Sequence, residues 1–182
     1  EGLTPNVVRT RSVQVWRPDG RGRMWTKSSQ VWNVDRNDRV SIYDYGDPNE
    51  PLRPIRLVGA RNGVFSGQAA VGWDKPIKGL KATAGELTHA RELTHAGGKA
   101  IIPAEDIRVR YPRLVHHSYG AQYWYDQLWD SPPAEVKVEK RSGGATQPVF
   151  VTVHVPRDAA PGNYTGEMQV SAKGIDPVAV PI

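Results

Sequence analysis

The chain has 182 residues and no cysteine, which excludes disulfides, thiolate zinc sites and cysteine nucleophiles. With 18 glycines, 15 prolines, 38% apolar and 24% charged residues, the composition disfavours a helical bundle and is not that of a disordered chain. The net charge of +5 is concentrated in residues 1–27, which hold six basic and two acidic residues, so the rest of the chain is nearly neutral.

Runs with a period of two residues dominate the chain and predict β-strands. In the clearest run, Val149, Val151, Val153 and Val155 are separated by single residues of other types. Strands are predicted at residues 7–16, 40–45, 55–60, 64–73, 80–84, 107–111, 136–140, 149–155, 164–172 and 178–182. Turn residues separate these runs, so we expect an all-β fold. Its architecture would be an antiparallel two-sheet β-sandwich, immunoglobulin-like or jelly-roll-like, with long loops and little helix.

Two of the connecting segments predict specific turns. Arg-Asn-Gly at 61–63 is typical of a tight hairpin turn. Pro-Gly at 161–162 predicts a turn with positive φ at the glycine. Tyr164 begins the next strand, where its hydroxyl can fold back onto the loop backbone as in the tyrosine corner of Greek-key sandwiches.

A duplicated pentapeptide lies between two of the predicted strands. Glu-Leu-Thr-His-Ala occurs at 86–90 and again at 92–96, and a repeat of six residues makes no continuous apolar stripe on a helix. We interpret this segment as a loop with at most one helical turn. The last strand stops in mid-alternation at Ile182, so we expect residues 1–182 to be one sandwich domain from the N-terminal part of a longer chain.

One cluster combines aromatic rings with carboxylates. It comprises Tyr123, Trp124, Tyr125, Asp126, Trp129 and Asp130. Aromatic rings stack on the apolar faces of sugars and carboxylates accept hydrogen bonds from hydroxyl groups, so the cluster is a candidate carbohydrate contact. Asp126 and Asp130 would face the same way on a helix, but no catalytic role is assigned to them. The alternatives are that the rings close one end of the sandwich or contact another domain.

No metal or cofactor site is expected. His116 and His117 are adjacent and therefore point to opposite faces of a strand, while His154 is expected on the solvated face of its strand. Four aspartates lack the closing bidentate glutamate of a calcium loop: Asp35, Asp38, Asp44 and Asp47. No phosphate-binding or dinucleotide-binding glycine motif is present.

Arginines alternate with tryptophans in the basic N-terminal segment. Trp16 lies among the arginines of residues 9–23 and Trp25 directly follows them, a pattern that could track phosphates and stack on bases. The alternative is a solvated, arginine-rich edge. We favour this alternative because no nucleic-acid-binding motif accompanies the charge.

Several segments resemble a known family. Residues 151–166, Val-Thr-Val-His-Val-Pro-Arg-Asp-Ala-Ala-Pro-Gly-Asn-Tyr-Thr-Gly, resemble the strand-loop-strand signature of N-terminal β-sandwich domains in glycoside hydrolase family 123 and related uncharacterised bacterial proteins. Residues 55–68, 75–110 and 125–133 are similar to further segments of that family in the same order, whereas residues 1–40 match poorly. Gly63 stands where the family usually has glutamate, so a side chain that could pair with Arg61 is missing.

The resemblance implies a non-catalytic accessory sandwich that packs against a downstream (β/α)8 barrel. Family members of known activity remove N-acetylgalactosamine with an Asp-Glu pair and the acetamido group of the substrate. That pair lies in the barrel, so no residue of this chain inherits a catalytic role. The resemblance also implies a bacterial protein that is secreted to the periplasm or the extracellular space, although this segment carries no signal peptide.

Two other functions remain open at this point. One is a free-standing carbohydrate-binding module that uses Trp124, Tyr125, Trp129 and also Trp73. The other is a binder of polyanions or nucleic acid through the arginines of residues 9–23, which we consider the weaker alternative. The expected partners are the downstream domain of the same chain and a carbohydrate; no membrane partner is expected.

Overall fold

Residues 29–47, 50–90, 100–115, 124–140 and 142–182 are described by a computed structural model. In these ranges the chain forms thirteen β-strands, one short 3-10 helix at Ala104–Asp106 and no α-helix, and none of its helices is long and apolar enough to cross a membrane. The strands are β1 (Gln30–Val34), β2 (Val64–Trp73), β3 (Ile77–Lys78), β4 (Lys81–Ala84), β5 (Leu87–His89), β6 (Ile101–Ile102), β7 (Ile107–Val115), β8 (Trp124–Trp129), β9 (Glu135–Val136), β10 (Ala145–His154), β11 (Tyr164–Thr165), β12 (Glu167–Ala172) and β13 (Ile175–Pro181).

Several sequence-based expectations fall on other parts of the chain. The predicted strand at 7–16, the arginines of residues 9–23 and the second pentapeptide copy at 92–96 lie outside the described residues. The same holds for the pair His116 and His117 and for Tyr123 of the aromatic cluster. These expectations therefore stay predictions.

A five-stranded antiparallel sheet in the order β1-β2-β10-β7-β8 forms one layer of the molecule. Its two long central strands pair along their whole length, from Val64 opposite His154 to Trp73 opposite Ala145. Val149, Val151 and Val153 are buried, which defines the inner face of the sheet. The alternate side chains of β10 point to the opposite, outer face.

The second layer packs against this inner face. It contains a sheet in the order β13-β12-β4 together with the smaller sheets β11-β5-β6 and β3-β9. Met168 and Val170 of β12 belong to the same buried cluster as the valines of β10. The backbone N–H of Ala82 in β4 also donates to the Tyr111 hydroxyl of β7 at 2.9 Å. The predicted antiparallel β-sandwich is confirmed.

Part of the outer face is covered by residues 35–47, which we call the cover segment. Val40, Ile42 and Tyr45 of this segment are buried, although the segment contains only an isolated bridge. The prediction of a strand at 40–45 is therefore wrong. The backbone there instead forms a turn, in which the Ser41 N–H donates to the Asp44 carboxylate at 2.8 Å. Such local hydrogen bonds compete with strand pairing.

The hairpin predicted around residues 61–63 is only half correct. A turn is present, with Asn62 at φ 59° and the Gly63 N–H donating to the Ala60 carbonyl at 3.3 Å. Residues 55–60, however, form no strand, and β2 pairs with β1 and β10 instead. Ile55 is buried and Leu57 packs against the core, whereas Val58 is 91% exposed, so this segment buries alternate side chains without forming a strand.

Candidate functional site

Four described residues of the predicted aromatic cluster lie on β8, an edge strand of the five-stranded sheet, and Asp130 directly follows that strand; none lies on a helix. β8 pairs with β7, and the register shifts so that Gln127 lies opposite Arg113 but Tyr125 lies opposite Leu114. Asp126 is therefore the extra residue of a β-bulge. The bulge resets the alternation of side chains along β8.

The bulge places two tryptophans on the same face of β8. Trp124 and Trp129 are five positions apart, and in a regular strand this odd spacing would place their side chains on opposite faces. With the bulge, Trp124 pairs with Val115 and Trp129 pairs with Tyr111, and both of these β7 residues lie on the inner-face side. These two β7 residues are four positions apart, a backbone span of about 14 Å at ~3.4 Å per residue.

We call Trp124, Gln127 and Trp129 the tryptophan edge. The two indoles are 41% and 47% exposed. The Arg113 guanidinium lies over the Trp129 ring, with its central carbon 4.7 Å from the ring centroid, and it also donates to the Ser131 carbonyl at 3.2 Å. This cation–π contact fixes the orientation of the ring while one face of the edge stays open to solvent.

Tyr125 connects β8 to β10 and to the cover segment. Its hydroxyl donates to the Thr146 carbonyl at 2.5 Å, and its backbone N–H donates to the Val40 carbonyl at 2.9 Å. Burial raises the pKa of the Tyr125 hydroxyl above its ordinary range, and the nearby Glu139 carboxylate adds to the shift. Tyr125 thus holds the cover segment and β10 together, and its ring is not presented with those of the tryptophan edge.

The two aspartates of the predicted cluster are engaged at separate places. Asp126 lines a depression of about 280 Å³ on the outer face, next to Arg36, Arg39 and Phe150. The Asp130 carboxylate accepts a hydrogen bond from Arg108 at 2.7 Å. The two carboxylates therefore have separate neighbours and do not line one depression together, unlike the paired carboxylates of a glycoside hydrolase.

A second depression lies further along the outer face, and we call it the outer-face groove. It has a volume of about 330 Å³, and its walls include Arg108 and Arg110 of β7 together with Thr152 and His154 of β10. His154 lies on the outer face, as predicted. It is not simply solvated, however, because its Nδ1 lies 2.9 Å from the Asp106 carboxylate.

The sequence predicts part of the lining of this groove. The alternation at 107–111 indicates that Arg108 and Arg110 share one face of a strand. It does not indicate that Thr152 lies opposite Arg108 in the register, because this pairing joins residues more than forty positions apart. The groove could therefore be found only once the strand order was known.

The described residues include no group of three or more histidine, aspartate or glutamate side chains that could hold a metal ion. Two of the four aspartates considered for calcium serve turns in the cover segment. The Asp35 carboxylate accepts the N–H of Asn37 at 2.9 Å, and the Asp44 carboxylate accepts that of Ser41.

Comparisons with known proteins point to one family. The model of the glycoside hydrolase 123 N-terminal domain matches residues 61–172. Among solved structures, a family 123 glycoside hydrolase from Clostridium perfringens, studied for glycolipid glycan hydrolysis, shares the fold with a TM-score of 0.59 and 12% sequence identity. The match covers 85% of this chain and 26% of that enzyme, so the chain spans about a quarter of its length. No curated protein sequence matches the chain.

Proposed function

Because the chain belongs to the glycoside hydrolase 123 N-terminal domain family, we propose that it is the non-catalytic β-sandwich module of a glycoside hydrolase and packs against a downstream (β/α)8 catalytic barrel. The family match over residues 61–172 and the shared sandwich fold support this proposal. A module with this role needs a surface that a second domain can cover.

The tryptophan edge is the surface that best fits this requirement. Two large indoles lie on one face of an edge strand, and each is nearly half exposed. Edge strands in natural proteins are usually covered or protected by charge, and exposed aromatic residues that cluster together are typical of contact surfaces. The exposure of Trp124 and Trp129 on the same face is the observation that carries the docking proposal.

The docking proposal is tested by hydrogen–deuterium exchange on the full-length product of the gene and on the 182-residue chain. We expect the backbone amides of β8 to exchange at least tenfold more slowly in the full-length protein, because the barrel would exclude water from this edge. Trp129→Ala should remove most of that difference. Trp73→Phe, a change on a central strand, should leave it in place. Equal exchange of β8 in both proteins would refute docking at this edge.

Carbohydrate contact by the same edge is a second candidate function. The backbone positions of the two tryptophans are about 14 Å apart at ~3.4 Å per residue of the partner strand. The exposed Gln127 amide between them can donate to and accept from sugar hydroxyls. A site of this kind would lie where the module and the barrel meet and would extend a sugar-binding surface.

This second candidate is tested by titrating the 182-residue chain with oligosaccharides that contain N-acetylgalactosamine and following tryptophan fluorescence. We expect a saturable change in the wild type that is lost in Trp124→Ala and in Trp129→Ala. Trp32→Phe, on the opposite edge strand β1, is the matched control and should keep the response. A response that survives both alanine substitutions would exclude the tryptophan edge as the sugar contact.

A further inference from the structure

Arg110 in the outer-face groove has an incomplete set of partners. One terminal nitrogen donates to the Thr152 hydroxyl at 3.1 Å. The Nε atom is buried and has no hydrogen-bond partner. No carboxylate in the described part of the chain lies within 4 Å of this guanidinium. A partly buried cation without a counter-ion is unfavourable, so this position is suited to a negatively charged ligand.

The other basic side chains of the groove already have acidic partners. Arg108 pairs with Asp130 at 2.7 Å, and His154 lies 2.9 Å from Asp106. Glu105 is exposed at the rim and forms no ion pair among the described residues. Arg110 is thus the cation of the groove whose charge no described carboxylate balances.

The charges around the groove limit the kind of anion that fits. Glu105 and Asp106 line the same depression as Arg108 and Arg110, so the groove has no strong excess of positive charge. This balance disfavours phosphate esters and polyanions, which carry more than one charge. A single carboxylate is matched by the planar, two-pronged donor edge of one guanidinium.

The remaining polar groups of the groove suit a ligand rich in hydroxyl groups. The Thr152 hydroxyl lies 2.9 Å from the Ser66 hydroxyl, and together with the pair His154 and Asp106 they offer donors and acceptors close to Arg110. The volume of about 330 Å³ is in the range of small-molecule sites. We propose that the outer-face groove binds an acidic sugar, with the sugar carboxylate on Arg110 and its hydroxyl groups on Thr152, His154 and the rim.

This inference does not rest on the docking proposed above, because the groove and the tryptophan edge lie on different faces of the five-stranded sheet. The failure of either proposal is therefore visible without reference to the other.

The test is a titration of the 15N-labelled 182-residue chain, followed by the amide chemical shifts. The probes are glucuronate, galacturonate and N-acetylneuraminate, with neutral glucose and inorganic sulfate as comparisons. We expect at least one acidic sugar to give saturable shifts at Arg110, Thr152 and His154, with glucose and sulfate at least tenfold weaker. The proposal would be overturned if no acidic sugar gave saturable shifts, or if the shifts were confined to β8. It would also be overturned if glucose or sulfate bound as tightly as the acidic sugars.

Arg110→Gln should weaken the binding of the acidic sugar at least tenfold. Arg53→Gln is the control, because Arg53 is an exposed arginine whose main chain pairs with Asn33 of β1 at the opposite edge of the sheet, and it belongs neither to the groove nor to the tryptophan edge. This control should bind within twofold of the wild type. If Arg110→Gln bound the acidic sugar with an affinity within twofold of the wild type, the role of Arg110 would be refuted. If that variant folds poorly, the chemical-shift changes of the wild type still locate the site.

Discussion

The loop between β10 and β11 is held together by single residues that come from distant parts of the chain. The Tyr164 hydroxyl donates to the Ala160 carbonyl at 2.8 Å, which confirms the predicted return of this side chain to the loop. The His89 ring contacts the Tyr164 ring edge-on at 5.1 Å, and its Nε2 lies 3.2 Å from the Pro161 carbonyl. Burial raises the pKa of Tyr164, which is consistent with this packing.

Gly162 is required in this loop for two independent reasons. Its φ of 149° is unfavourable for any residue with a Cβ atom, and a Cβ placed there would lie 2.1 Å from the His89 ring. We expect Gly162→Ala to lower the free energy of unfolding by about 2–4 kcal/mol, from backbone strain and displacement of the ring. Urea denaturation monitored by circular dichroism measures the change.

Gly85→Ala is the matched control for this prediction. A Cβ at Gly85 would meet no atom within 4 Å, and its φ is not positive. This variant should stay within about 0.5 kcal/mol of the wild type. Equal losses of stability in the two variants would show that the loop tolerates a side chain at position 162.

The sequence indicates the conformation of this loop but not its partner. Pro-Gly followed by a tyrosine is a local signal, because the positive φ and the returning hydroxyl depend on residues within four positions of each other. His89 reaches the loop from 72 residues away. Its pentapeptide was interpreted as a loop, whereas the first copy contributes β5, so the contact could not be foreseen from local patterns.

At the scale of elements, the strands with an uninterrupted period of two were predicted best. β2 has the predicted bounds, and β10 contains most of the predicted run. The sequence does not predict β8, because Trp124 and Trp129 are five positions apart, a spacing that fits one face of neither a regular strand nor a helix. The bulge at Asp126 brings them to the same face. Regular alternation is a local property, whereas a bulge is defined by the partner strand.

The cover segment shows that an irregular element can be as well packed as a strand. Gln68 of β2 is 2% exposed, and its amide donates to the Asp35 and Asp38 carbonyls at 2.5 and 2.7 Å, which holds the start of the segment on the outer face. Thr146 of β10 donates to the Asp44 carbonyl at 3.0 Å further along. Buried side chains of the central strands therefore take the place of ladder hydrogen bonds.

Ile42 tests how much this segment stabilises the molecule. Its side chain is 1% exposed, so Ile42→Ala should cost about 2–4 kcal/mol, through lost apolar burial and the cavity left behind. Ile101→Ala makes the same chemical change at a side chain that is 40% exposed, and it should cost less than about 1 kcal/mol. Urea midpoints of the two variants give the comparison. If Ile42→Ala were no more destabilised than Ile101→Ala, the cover segment would contribute little to the fold.

At the scale of the whole molecule, the sandwich uses its surfaces for different purposes. The inner face of the five-stranded sheet forms the core with the second layer, the cover segment packs on part of the outer face, and the outer-face groove lies on another part. The tryptophan edge lies along the last strand of the sheet. Both candidate contact surfaces are thus carried by one rigid sheet, and neither requires the core to open.

This shared core predicts that the two layers unfold together. Met168 of the second layer is fully buried and belongs to the same cluster as Val149 and Val151 of the first. Met168→Ala should therefore lower the stability of both layers by about 2–4 kcal/mol. In the described part of the chain, all four tryptophans lie in the five-stranded sheet, so their fluorescence reports on the layer that the substitution does not alter.

The measurement compares urea unfolding by tryptophan fluorescence and by far-ultraviolet circular dichroism, in a Trp16→Phe/Trp25→Phe background that restricts the fluorescence to those four residues. Coincident curves that shift together in Met168→Ala are expected for a two-state domain. Gln169→Ala, a change at the next, exposed residue, should move neither curve by more than about 0.5 kcal/mol. A fluorescence midpoint unchanged by Met168→Ala, with a lowered dichroism midpoint, would mean that the sheets unfold separately. The tryptophan edge and the groove would then survive the loss of the second layer.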